Sequence, residues 1–297
     1  MTARARRPEF FIVGAPRSGT TALYQYLRQH PGVFMPYRKE PVYFGADLPR
    51  RLPVLDERGY LRLFAPAGER VAGEATVWYL YSEQAPAEIK QFNPQARIII
   101  ALRNPADMLA SLHSLMVFTS WEDIESFEAA LDAEADRRQG RRLPRNVWWP
   151  KALHYRWLGD YAPHVRRWLE TFGREQVQII LFDDLQAEPE RVYRQTLEFL
   201  GVPATFTPDF AVVNPSRRAR SIRLQRLMYN PRTLRTLARL PPRAFHLVWR
   251  TFARLNIRYA EREKLDPAVR ARLLAELAPA ITELEHLLHR DLSVWRR

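Results

Sequence analysis

The densest chemistry in the 297-residue chain lies in "GAPRSGTT", from Gly14 to Thr21. Gly14 and Gly19 bracket four residues, the glycine spacing of the triphosphate loop G-x-x-x-x-G-K-[ST]. Thr20 stands where that loop carries lysine, and the loop's only cation is Arg17. Backbone amides in such a loop, with the N-terminus of a following helix, cradle an anion whatever the side chains are. Thr20 and Thr21 add hydroxyl donors. A tight turn whose glycines only satisfy backbone geometry is the competing reading. The full string, set between an apolar run and a helical pattern, favours phosphate binding.

Other residues with chemical potential sit after apolar runs. The run "ARIIIAL" ends in Arg103-Asn104-Pro105, a cation where a magnesium triphosphate enzyme carries an acid. Asp183 and Asp184 in "IILFDDL" do resemble a metal-holding acid and keep a magnesium-dependent P-loop kinase or NTPase open as an alternative. Glu40 in "YRKEPVYF" and Glu74 in "GEATVWYL" are carboxylates beyond short strands, and His113 is a third group able to move a proton. Each also has a structural reading: Glu40 as an ion-pair partner of Arg38 and Lys39, His113 as a packed histidine.

These groups need strands to hold them. Apolar runs at 10–13, 33–35, 71–73, 96–102 and 177–182 alternate with helical patterns at 20–29, 82–92, 106–118, 121–139, about 152–172 and 190–200. Such alternation predicts an α/β fold of three layers, with a central parallel sheet flanked by helices and ligand sites at strand carboxyl ends. From Ser216 onward no strand-like run occurs. Arg- and Leu-rich helical segments broken by Pro231 and Pro241-Pro242 precede a longer helix over about 267–288. The expectation is one domain over 1–297, an α/β core at 1–215 and a C-terminal helical cap at 216–297.

With those spacings established, the sequence resembles the sulfotransferases that use 3′-phosphoadenosine 5′-phosphosulfate (PAPS). "VGAPRSGTTALYQYL" is similar to their first motif. "LRNPADMLASLHS", with Ser111 eight residues after Arg103, is similar to their second. "HPGVFMPYRKEPVYF" resembles a stretch of the glycan-type and tyrosyl-protein enzymes, and "GEATVWYLYS", "VQIILFDDLQAEPE", "TLEFLGV" and "RDLSVW" resemble segments of bacterial relatives. The resemblance implies a P-loop-like fold, PAPS as donor, adenosine 3′,5′-bisphosphate as product and no metal. It implies that Arg17, Ser18, Gly19, Thr20 and Thr21 hold the 5′-phosphosulfate and that Arg103 and Ser111 hold the 3′-phosphate. A late basic loop closes over the nucleotide in the family; Arg218 is chosen among Arg217, Arg218 and Arg220. Arg17 would stabilise charge at the transferring group, and Glu40 would be the general base, with Glu74 and His113 as alternatives. Asp183 and Asp184 take a structural role in this reading.

The net charge of +13 calls for anionic partners, and of 46 basic residues only Lys39, Lys90, Lys151 and Lys264 are lysines. A basic nucleic-acid-binding protein is the second alternative, suggested by Tyr229, Phe245, Trp249 and Tyr259 among arginines; no nucleic-acid-binding signature accompanies them, so no specific nucleic-acid partner is expected. The mixture of Leu, Phe, Trp and Arg from Arg223 to Arg258 allows peripheral membrane contact. The acceptor is open among small molecules, carbohydrates and lipids. The chain contains no cysteine, which excludes disulfides and thiolate chemistry, and without an apolar run of about 20 residues a cytoplasmic protein is expected.

Overall fold

The computed structural model describes residues 6–49, 54–210, 217–237, 239–259 and 265–296. Its main sheet contains β1 (Phe10–Gly14), β2 (Val33–Phe34), β3 (Val71–Ala75), β4 (Arg97–Leu102) and β5 (Val177–Leu181), in the order β2-β3-β1-β4-β5. All its pairings are parallel. Parallel strands need crossover connections that cover both faces, which is why these strands read as unbroken apolar runs. Phe10, Ile12, Val13 and residues 98–102 are fully buried. At Phe10↔Gly73 the two strands approach so closely that a Cβ on residue 73 would overlap the Phe10 ring.

β1 lies at the centre, with β3 on one side and β4 on the other. The chain builds β2 and β3 first and then crosses to β4, so the topological switch falls beside β1. A doubly wound sheet opens its ligand crevice at that point, outside the strand carboxyl ends.

Helices Thr20–Gln29, Ala85–Phe92, Pro105–Phe118, Pro189–Leu200 and Pro267–Leu288 match the expected periodic stretches. Two expected helices form only in pieces. The stretch 121–139 yields Phe127–Asp132 and Glu134–Arg138. Glu122 there captures the backbone N–H groups of Asp123 and Ile124, both at 2.9 Å, and Ser126 caps a new start at Phe127, accepting from the Ala129 amide. The stretch 152–172 divides into Tyr155–Gly159 and Tyr161–Phe172. Pro163 has no N–H to donate and is tolerated only in a first turn, so the second helix must begin just before it.

Two compact units divide the chain. The first, Met1–Met108 with Asp160–Val213 and Leu277–Arg297, holds the five-stranded sheet. Within it Trp295 donates from Nε1 to Asp183 at 2.7 Å, and Arg290 pairs with Asp184 at 2.7 Å. The second unit comprises Leu109–Gly159 and Asn214–Glu276. Its interior contains an ion pair with no side-chain exposure: Arg137 forks both Glu122 oxygens at 2.6 and 2.7 Å, and Tyr155 donates to the same carboxylate at 2.8 Å. Burial pushes the Glu122 carboxyl up, but its bonds to Arg137 and to the Ile124 amide outweigh that and hold it below the usual range. This unit also corrects the expectation that no strand follows Ser216. β6 (Arg217–Ala219) pairs antiparallel with β7 (Ile257–Tyr259). Three residues are too few for a period-two pattern to be visible in sequence.

Candidate active site

β1 feeds the glycine loop, and helix Thr20–Gln29 leaves it. Gly19 forms the N-cap at φ 85°. A Cβ there would come within 2.8 Å of Leu185 Cδ2 and 2.9 Å of the Phe182 ring, so the position needs glycine for backbone and space alike. Arg17 is also left-handed, at φ 61°. Arginine rarely adopts that conformation, which costs on the order of 1 kcal/mol and concentrates at ligand sites. Ser18 is fully buried and donates to the Pro16 carbonyl at 3.3 Å, and Thr20 is buried beside it.

β4 brings Arg103 to the same end of the sheet. Its guanidinium lies 4.6 Å over the Phe182 ring and donates to the Arg17 carbonyl at 3.4 Å. Tyr161, which sequence reasoning passed over, joins the two motifs. Its hydroxyl donates to the Arg103 carbonyl at 3.1 Å and bonds the Ser18 side chain. Burial raises its phenol far above the usual range, so it acts as a neutral hydrogen-bonding group. Asn104 caps the next helix, accepting from the Ala106 amide at 3.0 Å, and donates to the Trp295 carbonyl at 2.9 Å. Ser111 is buried at the end of the second turn of helix Pro105–Phe118.

The lysine that the loop lacks comes from another strand end. Lys39, shortly after β2, donates from Nζ to Thr21 Oγ1 at 3.0 Å and stands 3.6 Å from Glu40 Oε1. Burial lowers the Lys39 pKa, the neighbouring Glu40 works against that shift and the Arg17 charge adds to it. Glu40 is left-handed at φ 57°, and its amide donates to the Ala75 carbonyl at 2.9 Å. The end of β3 therefore anchors the loop that bears Glu40.

Glu74, one residue before that anchor, is fully buried among hydroxyls. Thr76 donates to it at 2.7 Å, Tyr60 donates through a short bond, and Tyr79 is also bonded to it. Tyr79 oxygen in turn accepts from the amides of Tyr43 at 2.9 Å and Phe44 at 3.1 Å. Through Tyr79, Glu74 is thus linked to the backbone of the loop that bears Glu40.

Burial pushes the Glu74 carboxyl up to about 7, against hydroxyl donors that favour its charged form. Because this pKa exceeds the unfolded value, folding favours the protonated acid. Its stabilising contribution is complete below about pH 4.3 and is lost as pH rises to about 7. Glu74→Gln keeps the size and removes the titration. Between those limits wild type should lose about 3 kcal/mol relative to the variant, measured by denaturant unfolding across pH. A wild-type-minus-variant difference that does not change with pH would refute the titration.

The remaining sequence candidates have the following surroundings. His113 is buried in the second unit: its Nε2 is 2.9 Å from the Ile124 carbonyl, it packs on Phe127 and Tyr155, and burial lowers its pKa. That is the packed histidine. Arg217 and Arg218 contribute backbone to β6, and their side chains lie outside the described residues. Arg220 is exposed, with its amide donating to the Asn256 carbonyl at 2.7 Å. Trp78 and Tyr79 are core residues. In the second unit Trp121 stacks on Trp148 with ring centroids 5.6 Å apart, and Trp149 follows edge-on. Trp121, Trp148 and Trp149 thus form one aromatic cluster within the second unit.

Residues 7–229 match the sulfotransferase domain. A sulfotransferase from Alicyclobacillus acidocaldarius, solved as a crystal structure, superposes over 98% of this chain and 100% of its own, with a TM-score of 0.74 and 33% identity. The human bifunctional heparan sulfate N-deacetylase/N-sulfotransferase 3 is 30% identical over 207 residues, 66% of this chain and 22% of that protein. The mouse heparan sulfate glucosamine 3-O-sulfotransferase 3A1 is 26% identical over 211 residues, 71% of this chain and 50% of that protein. The chain therefore spans about a fifth to a half of the length of these curated relatives. The matched region contains the glycine loop, Glu40, Glu74, Arg103 and Ser111, and with that extent of agreement the chain belongs to the sulfotransferase domain family of enzymes.

Proposed function

We propose that the protein transfers a sulfuryl group from PAPS to a hydroxyl or amine of a carbohydrate-type acceptor. The observation that carries this reading is the convergence at adjacent strand ends. The glycine loop with Arg17 follows β1, Arg103 follows β4 and is tied to that loop through Tyr161, and Lys39 bridges Thr21 to Glu40. Two basic sites suit a donor with a 5′-phosphosulfate and a separate 3′-phosphate; a triphosphate needs only one. The residues fit such a nucleotide, since the glycine loop opens onto the N-terminus of helix Thr20–Gln29 and Arg17, Lys39 and Arg103 stand at neighbouring strand ends beside it.

PAPS, when bound, supplies the activated sulfuryl group. The loop amides with Ser18, Gly19, Thr20 and Thr21 hold its phosphosulfate end, and Arg103 with Ser111 holds the 3′-phosphate. Arg218 belongs to the proposed closing loop. Arg17, joined by Lys39, stabilises the charge that develops on the transferring group and leaving oxygen. Glu40 accepts the acceptor's proton at the attacking oxygen or nitrogen. No metal is assigned a role: Asp183 and Asp184, the acids available for one, are engaged by Trp295 and Arg290. The heparan sulfate named for the relatives supports a carbohydrate-type acceptor. A cytoplasmic location is part of the proposal, supported by a chain without cysteine.

Thermal unfolding with added nucleotide tests the reading. Adenosine 3′,5′-bisphosphate at a hundredfold excess over its Kd should stabilise the protein by about 2.7 kcal/mol. ATP with magnesium should do far less. The reverse order would favour the kinase reading and overturn this one.

A further inference from the structure

Between Asp209 and Glu261 the sequence contains no acidic residue and twelve arginines. Three helices of this stretch, Ile222–Met228, Pro231–Leu237 and Pro242–Asn256, belong to the second unit. Their aromatics pack on one another. Trp249 lies 5.6 Å from Tyr229, 5.6 Å from Phe252 and 6.3 Å from a stacked Phe245, centroid to centroid. Asn256, almost fully buried, locks the arrangement: it donates to Gln225 Oε1 at 2.8 Å and accepts from the Ser221 amide at 2.8 Å. Gln225 donates onward to the Phe118 carbonyl at 2.8 Å.

Phe252 is buried and Tyr229, Phe245 and Trp249 are half-buried in this cluster, while aliphatic side chains of the same stretch are exposed. Leu227, Leu247 and Leu255 are 60%, 57% and 66% exposed, and Leu224, Leu240 and Val248 are exposed as well. On helix Pro242–Asn256, Leu247, Thr251 and Leu255 follow one another a turn apart, flanked by exposed Arg250 and Arg254. Single exposed leucines need no explanation, but six exposed aliphatics within residues 224–255, two on helix Ile222–Met228, three on helix Pro242–Asn256 and Leu240 between helices, set among arginines, are the composition of an interfacial element.

We propose that this arginine–leucine surface docks the protein onto an anionic lipid bilayer. The stretch contributes no acid of its own, and although Arg226 pairs with Glu125 at 3.3 Å its charge is complementary to acidic headgroups. Leucine side chains can enter the headgroup boundary while the arginines reach lipid phosphates. Among the described residues no helix is long and apolar enough to cross a membrane, so the contact is peripheral. A nucleic acid would use open aromatic faces as a stacking platform, and here half-buried Tyr229 and Phe245 both pack on Trp249. A second copy of the same face would oppose arginine with arginine.

Vesicle flotation tests the surface, comparing phosphatidylcholine alone with phosphatidylcholine containing phosphatidylglycerol at roughly a third, a leaflet charge typical of acidic membranes. The full chain should float with the anionic vesicles, stay behind with neutral ones, and lose binding as salt is raised. Leu247→Ser combined with Leu255→Ser should lower partitioning about tenfold or more, with an unchanged melting temperature because both positions are exposed. Arg250→Glu with Arg254→Glu should weaken it as well. Failure to bind anionic vesicles, or binding indifferent to both double substitutions, overturns the proposal. So does tighter, salt-resistant binding to duplex DNA, or a concentration-dependent dimer that the leucine substitutions dissociate.

Discussion

Arg103→Ala should abolish most of the stabilisation that adenosine 3′,5′-bisphosphate confers on wild type, while Arg17→Ala should reduce turnover more than it reduces nucleotide binding. The two residues differ in what they touch. Arg103 is oriented by the Phe182 ring at 4.6 Å and by the Arg17 carbonyl, and in the proposed reading its fork meets a fixed phosphate that does not change charge during the reaction. Losing charge-assisted hydrogen bonds worth about 1.5–3 kcal/mol weakens affinity by roughly ten- to a hundredfold. At saturating donor, its turnover should be largely retained. Arg17 sits in the loop itself with a strained backbone, and its charge is proposed to act where charge develops. Removing such a donor costs about 10²- to 10³-fold in kcat. Isothermal titration with the bisphosphate and steady-state kinetics at saturating PAPS separate the two effects. A nucleotide shift that survives both substitutions would place the donor elsewhere. Arg103→Lys should not restore affinity, since an ammonium supplies no bidentate fork.

Glu40→Gln should bind nucleotide as wild type does and lose about 10²- to 10⁴-fold in turnover. Glutamine keeps the volume and can still accept a hydrogen bond from Lys39, but cannot take a proton. The loop should keep its position in the variant, because it is held by backbone and not by the Glu40 side chain: the Glu40 amide bonds Ala75, and the Tyr43 and Phe44 amides bond Tyr79. Retained turnover would move the base to another group. Glu74→Gln provides the contrast, since a supporting residue should alter the pH dependence of stability and the KM for acceptor before it alters the chemical step.

Much of the frame was legible in advance. β1, β4 and β5 declare themselves because a strand buried on both faces has no polar positions to interrupt its apolar run. The glycine loop and Arg103-Asn104-Pro105 are equally local, each confined to a few neighbouring residues. The broken helices were not legible as breaks. Glu122 competes for amides that a helix would use, and whether a carboxylate turns toward its own backbone depends on Arg137 waiting to bind it. The strand pair β6 and β7 was invisible for a related reason, since neither three-residue strand carries a pattern without its partner.

The sites divide in the same way. Asp183 and Asp184 had two readings in sequence, metal-holding or structural, and their partners Trp295 and Arg290 lie 112 and 106 residues later. Lys39 drew notice only as a neighbour of Glu40, because no spacing rule connects it to Thr21. Tyr161 had no signal at all, yet it joins the two motifs that sequence had identified separately.

By itself, the sequence determined the order of the five main-sheet strands, the glycine loop, the two arginines at strand ends and the carboxylate beside Lys39. These features follow from steric and hydrogen-bonding preferences among near neighbours, which short spacings encode. Tertiary structure alone decided which charges meet, that Glu74 is buried deeply enough to hold its proton to about 7, and that the arginine-rich helices pack their aromatics together and leave leucines exposed. Those outcomes depend on burial and on contacts closed across long stretches of chain. The same residue type is a base, an ion-pair partner or a structural acid according to what the fold packs against it.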